Sequence, residues 1–402
     1  MTKAACTIVS LNYLPYARVL CESYLRHHPD HRFVVLIVDR VPNGIDLSKE
    51  QFEVILVEDL AIPDFSSVAF KYDILALNTN VKPTLLKSLL NSGVTELLYI
   101  DPDIQVFQPL HSVFDALRDH SIVITPHILS PNPTDVQAEV VLLMGGVFNL
   151  GFIAIDNSKE SLRFLSWWEQ RCLDYAYNEP RSGMFVDQKW INLVPCLFDR
   201  VKILKSLGCN MAYWNLHERT LSSVDGILYV NNSFPLEFYH FSGIAVDAGD
   251  RISKNSDALT LVSRPDLRGI FESYRASLVR HGYHDMSKIQ YAYATFDNGQ
   301  YINRLTRAFF ASTYHMHPNE NPFSSTSRFY LAAKKARTLG NHDKTSGYSS
   351  RTFSSKDPRI RIIHALFRLI LRGLGPDKYT ALMKYCAHIS TLRKQSDIHS
   401  WK

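Results

Sequence analysis

Asp101-Pro102-Asp103 closes the apolar run Leu97-Leu98-Tyr99-Ile100 in the segment TELLYIDPDIQVF. Two carboxylates at i and i+2 share one side of an extended backbone, so both can reach one hard divalent cation. Such a cation keeps positions open for diphosphate oxygens and neutralises charge on a diphosphate leaving group. A run rich in Leu, Ile and aromatics belongs in the middle of a sheet covered on both faces. Ligand sites in open α/β sheets form outside the carboxyl ends of such strands. A chance Asp-x-Asp is common, so its position after a buried strand makes this one a candidate.

Further residues converge on the same chemistry. Asn149, in Phe148-Asn149-Leu150-Gly151, puts an amide inside a buried strand, which costs free energy unless it is hydrogen-bonded. Its partner is either a substrate hydroxyl or neighbouring backbone. Asp187 and Gln188 stand just before a helical pattern, where an Asp commonly serves as N-cap. His240 ends an apolar run and is followed by Phe241-Ser242-Gly243. Lys82 precedes Pro83 near a helix start and is either a phosphate or sugar contact or a solvated cation. Trp214, Asn215, His217 and Arg219, in YWNLHER, either frame an acceptor or close the core.

In this order the motifs resemble the GT-A glycosyltransferases, and most of all the retaining group that contains glycogenin and the bacterial lipooligosaccharide galactosyltransferases. The resemblance spans about residues 7–243 and rests on the ordered set, since each motif is short. The segments NLGFIAI, FVDQKWINLVP and NMAYWNLHER also resemble a bacterial branch linked to surface polysaccharides. The resemblance implies Asp101, Asp103 and His240 as ligands of Mn²⁺ or Mg²⁺. It implies Asn149, Asp187 and Gln188 around the transferred sugar and Lys82 against the donor, with Asn12 and Asp39 near the nucleotide. The family follows its His-x-x-Gly with Lys-Pro-Trp, whose lysine grips the diphosphate. Here Gly243 is followed by Ile-Ala-Val-Asp-Ala-Gly-Asp, and the nearest cations are Arg251 and Lys254. Retention of configuration is therefore less firmly implied than metal-dependent sugar transfer.

The elements that must carry these residues alternate in type. Strands are expected at 7–10, 33–38, 52–57, 97–100, 121–125 and 146–155. Helices are expected at about 15–26, 81–90, 111–118 and 159–177. Strand–helix alternation predicts an α/β fold with a mostly parallel, Rossmann-like GT-A sheet flanked by helices. Residues 128–140 read as a Pro/Asn-rich lid. The expected organisation is a catalytic domain over 1–250, a helical extension over 251–337, a polar linker over 338–358 and a basic helical tail over 359–402.

Composition sets bounds. The 402 residues are 46% hydrophobic and 21% charged, ordinary for a globular protein. No stretch of some 20 apolar residues appears, and the N-terminus reads without a leader, so a cytoplasmic protein is expected. The six cysteines are scattered, with no C-x-x-C pair. Net charge is +5, but residues 351–402 hold eleven Lys/Arg against three Asp, a net +8, which leaves −3 for the first 350 residues. Within that tail, Ile362, Ile363, Leu366, Leu369 and Ile370 form a helical stripe bordered by Arg359, Arg361, Arg368 and Arg372. That is a basic amphipathic helix over 359–375, suited either to an anionic membrane surface or to packing on the protein body.

The expected function is transfer of a sugar from a nucleotide-diphosphate donor, expected to be a UDP-sugar, to a polysaccharide, lipopolysaccharide or other glycan acceptor. The expected location is the cytoplasm, peripheral on the inner face of the cytoplasmic membrane. A sugar nucleotidyltransferase is the first rival, disfavoured because SLNYLPYAR after the first strand lacks a Gly-rich phosphate loop. A non-catalytic carbohydrate- or membrane-binding protein is the second. Nucleic-acid binding is not expected, since aromatics are not interleaved with the cations of the tail.

Overall fold

The structure, a computed structural model, describes residues 2–316, 320–340, 357–395 and 398. The chain forms two compact units. One comprises Met1–Pro63 with Ile74–Ala292, the other Asp64–Asp73 with Tyr293–Lys402.

The first unit is built on a seven-stranded sheet. Its strands include β1 (Lys3–Val9), β2 (Arg32–Ile37), β3 (Glu53–Leu56), β4 (Glu96–Ile100), β6 (Ile122–Pro126) and β7 (Phe148–Asp156), while β5 (Ile104–Val106) lies outside it. The spatial order is Val201–Ile203, β6, β7, β4, β1, β2, β3. Neighbours pair in parallel except β7, which runs against both β4 and β6. The sheet is thus the mostly parallel, helix-flanked one expected from the sequence.

Side chains alternate across it as the period of two requires. Ala5, Val9, Val35, Ile37, Leu98, Ile100, Phe152 and Ala154 share one core with Leu14, Leu20 and Tyr24 of the helix Leu14–His27. The helices Lys82–Asn91 and Lys159–Tyr175 pack together as a second pair. The chain runs outward from β1 to β2 and β3, then lays β4 on the other side of β1. That reversal makes β1/β4 a topological switch point, where the carboxyl ends of open sheets leave a crevice.

Two expectations are corrected. The expected helical extension over 251–337 does not begin as helix, since Arg251–Ser253 and Ser256–Thr260 form an antiparallel hairpin. The expected lid, 128–140, runs into a helix, Val136–Gly145, capped by Asp135, whose side chain accepts from the Ala138 N–H.

The second unit has an aromatic core in which Phe70 meets Phe296, Phe310, Phe323 and Phe329. The Arg307 guanidinium donates to the carbonyls of Ala69, Phe70 and Tyr72 at the end of the helix Phe65–Lys71. Such terminal carbonyls have no partner within their own helix. Most of the expected linker lies outside the described residues. The C-terminal helix runs Pro358–Ile389, past the expected end at 375, and breaks at Gly375 (φ 76°) and Pro376. Phe367 and Tyr379 meet across the break at 6.5 Å, so the two arms bend toward each other. Ile360 is its buried residue, and Leu392–Gln395 beyond it packs on the helix Arg304–Thr313.

Candidate metal and donor site

β4 ends at the switch point, and the turn after it is held on several sides. The Asp101 N–H donates to the Gly151 carbonyl (2.7 Å), and the Ile104 N–H donates back to the Asp101 carbonyl (3.0 Å). β5 then pairs antiparallel with Phe238–His240, which sets His240 opposite Ile104. The Phe241 N–H reaches the Asp103 carbonyl at 2.8 Å. These backbone bonds bring His240 to two carboxylates more than 130 positions before it. His240 Nε2 stands 3.0 Å from Asp103 Oδ1 and 3.9 Å from Asp101 Oδ2. One ligand atom from each of the three lies within 4.8 Å of the other two.

The cluster fits a divalent cation. Two carboxylates and one imidazole are a donor set for Mn²⁺ or Mg²⁺, with the imidazole favouring the softer ion. Gly151 supplies the room: a Cβ there would lie 2.4 Å from His240 Cε1 and 2.9 Å from Asp101 Oδ2. Burial lifts the Asp101 carboxyl above its usual range, against the pull of Lys82 and His240. Burial alone would lower the His240 imidazole, but the Asp103 and Asp101 carboxylates outweigh it and raise its pKa.

Beside this cluster the sheet carries an irregularity that exposes one peptide. Ile124 pairs with Ile153, but the next β6 residue, Thr125, pairs with Asn149, so Leu150, Gly151 and Phe152 have no β6 partner. The Leu150 N–H is taken by Gln188 Oε1 (3.1 Å), and its carbonyl by Lys82 Nζ (2.8 Å). Lys82 Nζ also sits 2.6 Å from Asp187 Oδ2, and the two side chains are 1% and 2% exposed. The same ammonium lies 4.1 Å from the centre of the Tyr99 ring, whose hydroxyl donates to Asp101 Oδ1 (2.6 Å). Asp187 makes no N-cap bond. Burial raises its carboxyl while Lys82 opposes, and Trp168 Nε1 holds its backbone carbonyl at 3.1 Å. A buried ion pair is an expensive way to stabilise a fold. This one links the irregular peptide of β7 to the Asp-x-Asp turn.

Asn149 lies between two histidines. Its Oδ1 is 3.2 Å from His240 Nδ1 and its Nδ2 is 3.4 Å from His127 Nε2. Burial pushes the His127 imidazole down to about 4. Trp214 stands edge-on to both rings, at 5.1 Å from His240 and 5.2 Å from His127. Asn215 is buried and donates to the carbonyls of His127 and Asn210. Arg219 is buried too and donates to those of Leu207 and Cys209. His217 faces the Ser130 carbonyl at 3.2 Å, while Glu218 accepts from the backbone N–H groups of Leu129 and Ser130.

The switch-point strands bring Asn12 and Asp39 to the same edge. Asn12 Oδ1 is buried without a hydrogen-bond partner among the described residues. The Asp39 carboxylate accepts from the N–H groups of Leu11, Arg40 and Ala292; burial raises its pKa against those three bonds. Arg251 is paired with Asp257 at 2.7 Å. Lys254, exposed at the hairpin turn, has its N–H on the Gly243 carbonyl at 2.7 Å.

No protein-family model matches the chain. It is 27% identical over 283 residues to YfnF of Bacillus subtilis (strain 168), an uncharacterized protein, covering 69% of this chain and 92% of that one. YfnD of the same organism, also uncharacterized, is 24% identical over 246 residues, covering 60% and 77%. Among solved structures, the galactosyltransferase LgtC in complex with donor and acceptor sugar analogs is similar at 15% identity and a TM-score of 0.39, over 68% of this chain and 95% of that one. The glycosyltransferase GlyE of Streptococcus pneumoniae TIGR4 is similar at 16% identity and a TM-score of 0.40, over 74% and 67%. Likenesses at these scores carry no weight beside the side-chain geometry.

Three participants escape sequence reasoning. Tyr99 was readable in principle, since i and i−2 of a strand share a face and place its hydroxyl under Asp101. Gly151 was legible as part of Phe-Asn-x-Gly, but its function as clearance for His240 needs the third dimension. His127 carries no local signal, because its link to Asn149 depends on how β6 pairs with β7.

Proposed function

We propose that the protein is a metal-dependent glycosyltransferase that moves a sugar from a nucleotide-diphosphate donor to a glycan acceptor. The observation that carries this reading is the convergence of Asp101, Asp103 and His240 at the switch point, beside the buried Lys82–Asp187 pair. Asp101, Asp103 and His240 would hold Mn²⁺ or Mg²⁺, which when bound offsets charge on the departing diphosphate. Asn12 and Asp39, at neighbouring strand ends, border the nucleotide. Gln188, Asn149 and Asp187 line the sugar end.

Lys82 does not reach solvent, so its part is to hold Asp187 in place and to oppose the burial that raises its carboxyl. An Asp187 engaged at 2.6 Å by an ammonium is a poor nucleophile. That favours a front-face retaining reaction, in which the leaving phosphate itself takes the acceptor proton as the sugar passes through an oxocarbenium-like state. Of the two cations after Gly243, Lys254 is better suited than Arg251 to meet the diphosphate, because Arg251 is engaged by Asp257. Trp214 and His217 border the acceptor end, whereas Asn215 and Arg219 support it by holding backbone carbonyls.

A UDP-sugar donor and a surface-polysaccharide, lipopolysaccharide or lipid-linked acceptor fit this reading. So does work at the inner face of the cytoplasmic membrane, with the basic helix on anionic lipid. No helix among the described residues is long and apolar enough to cross a membrane. The decisive experiment is a donor-hydrolysis screen over UDP-, GDP- and dTDP-sugars with and without Mn²⁺. Release of UDP only with metal is the expected result. Pyrophosphate release from a nucleoside triphosphate and a sugar phosphate would select a nucleotidyltransferase instead. No turnover under either condition would leave a carbohydrate-binding protein.

A further inference from the structure

A surface helix ordinarily keeps its apolar residues on one stripe. The lid helix Val136–Gly145 does not. Val140-Val141-Leu142-Leu143-Met144 are apolar in a row, and at about 3.6 residues per turn they pass right round the helix. None of its residues is buried, and Val140, Val141, Leu143 and Met144 are 38% to 64% exposed. The helix is tied to the sugar end of the site. Gln188 Nε2 donates to the Gly145 carbonyl (3.0 Å) while its Oε1 takes the Leu150 N–H. Lys189 Nζ donates to the Leu143 carbonyl, and Asn192 Oδ1 accepts from the Val147 N–H (3.1 Å). Leu193 and Leu197, also exposed, continue the apolar surface beyond Asn192. At its other end the loop meets the acceptor side, where His217 faces the Ser130 carbonyl. A sugar offers hydroxyls, so hydrocarbon on this scale beside a sugar site calls for an acceptor with an apolar part.

Charge narrows the choice. The two carboxylates of the lid are turned to its own backbone, Asp135 on the Ala138 N–H (3.1 Å) and Glu139 on the Asn132 N–H (2.7 Å). The cations beside it are not so engaged. Lys189 follows Gln188, Arg181 lies in the turn Pro180–Ser182 that packs on the helix, and neither has a carboxylate partner among the described residues. We propose that the lid helix, with Leu193 and Leu197, binds the lipid part of the acceptor, an anionic glycolipid whose sugar is joined through a phosphate to a hydrocarbon chain. The acceptor sugar lies beside Gln188, the phosphate meets Lys189 and Arg181, and the chain runs along the helix. This names the acceptor class and rests on the glycosyltransferase reading above.

The test is calorimetric titration of the full-length protein with alkyl phosphates from butyl to dodecyl, each below its critical micelle concentration. Affinity should rise about two- to fourfold per methylene, the range from half to full burial of a CH₂. Val140→Ser with Leu143→Ser, at exposed positions, should flatten that rise and leave melting unchanged. Lys189→Met should remove the preference for dodecyl phosphate over uncharged dodecyl maltoside, and Lys189→Arg should keep it. No rise in the wild type, or an equal rise in the Ser variant, would overturn the proposal. So would binding only above the critical micelle concentration, the mark of contact with a lipid surface. Displacement of dodecyl phosphate by UDP and Mg²⁺ would also overturn it, since the lid would then close over the donor. Metal-dependent donor hydrolysis without a chain-length effect refutes the lipid acceptor alone. A chain-length effect in a protein that hydrolyses no donor keeps the lipid site and brings down the transferase reading instead.

Discussion

The carboxyl edge of the sheet buries charge, whereas the C-terminal helix exposes hydrocarbon. Lys82 and Asp187 are sealed from water at 1% and 2% exposure. Ile362, Leu366 and Leu369 stand in it at 69%, 54% and 63%. Each arrangement is the reverse of what stability alone would select, since buried ions pay desolvation and exposed apolar surface forgoes the hydrophobic gain. The core of the central sheet follows the ordinary rule, with Ala5, Val35, Leu98 and Ala154 at 0%. The two departures differ in how they are held. The charges are locked by short bonds to backbone and to each other, while the helix is seated at its ends, by Ile360 and by Leu392–Gln395. A locked site and a helix face exposed among the described residues therefore predict opposite responses to substitution.

The largest response is expected at the site. Asp103→Ala should lower turnover by about three powers of ten or more, roughly 4 kcal/mol of barrier, with circular dichroism and melting unchanged. Near-normal turnover at saturating Mn²⁺ would refute the metal assignment. Lys82→Met should cost about 3–5 kcal/mol in urea unfolding by stranding the Asp187 carboxylate. Adding Asp187→Leu should return much of that stability without restoring activity. A loss below about 1 kcal/mol in the single variant would mean that the pair is not locked. Gly151→Ala should cost about 1–3 kcal/mol and weaken Mn²⁺ binding, because the new methyl meets His240 Cε1; a titration showing wild-type affinity would contradict it.

At the helix the order reverses. Leu366→Ser with Leu369→Ser should leave stability within about 0.5 kcal/mol, as for other exposed positions, yet abolish flotation with anionic vesicles. Wild-type flotation should itself weaken with salt. A large drop in melting temperature would instead mean that the stripe is covered by protein.

The smallest effect concerns a third place, the amino end of the sheet. There, burial, together with His31 and other nearby cations, holds the His28 imidazole at about 4, while its Nε2 accepts from the Leu110 N–H. A base depressed in the folded state takes up its proton on unfolding. Its stabilisation is therefore full above about 6.5 and lost as pH falls toward 4. His28→Gln should flatten the fall of melting temperature across that window, and an unchanged slope would rule His28 out as a contributor.

Much of the frame was legible because periodicity is local. β1, β2 and β4 appear in the sequence as apolar runs, and Asp101 is read from its position at the end of one. What escaped was long-range. Lys82 and Asp187 are 105 positions apart, and neither shows on its own that it will be buried. The antiparallel course of β7 leaves no mark in a strand covered on both faces, because alternation is lost there. Residues 64–73 join the second unit through carbonyls that Arg307 collects from more than 230 positions away. The hairpin at 251–260 was missed because its strands are short and polar.

The reversed course of β7 has one more consequence. The chain leaves the sheet at the end of β6 and re-enters it at the start of β7 on the same edge, so everything between is a loop over the functional side. That loop is fastened at both ends, by Glu218 at Leu129–Ser130 and by Gln188 Nε2 on the Gly145 carbonyl. Residues 131–144 are thus a cassette with fixed termini. It can be exchanged for another sequence, or lengthened, without shifting the register of either strand or disturbing Asp101, Asp103 and His240. Closing a longer surface loop costs little, about 0.6 kcal/mol per doubling. The cassette is the natural place to re-tailor what borders the sugar end while the metal cluster stays as it is.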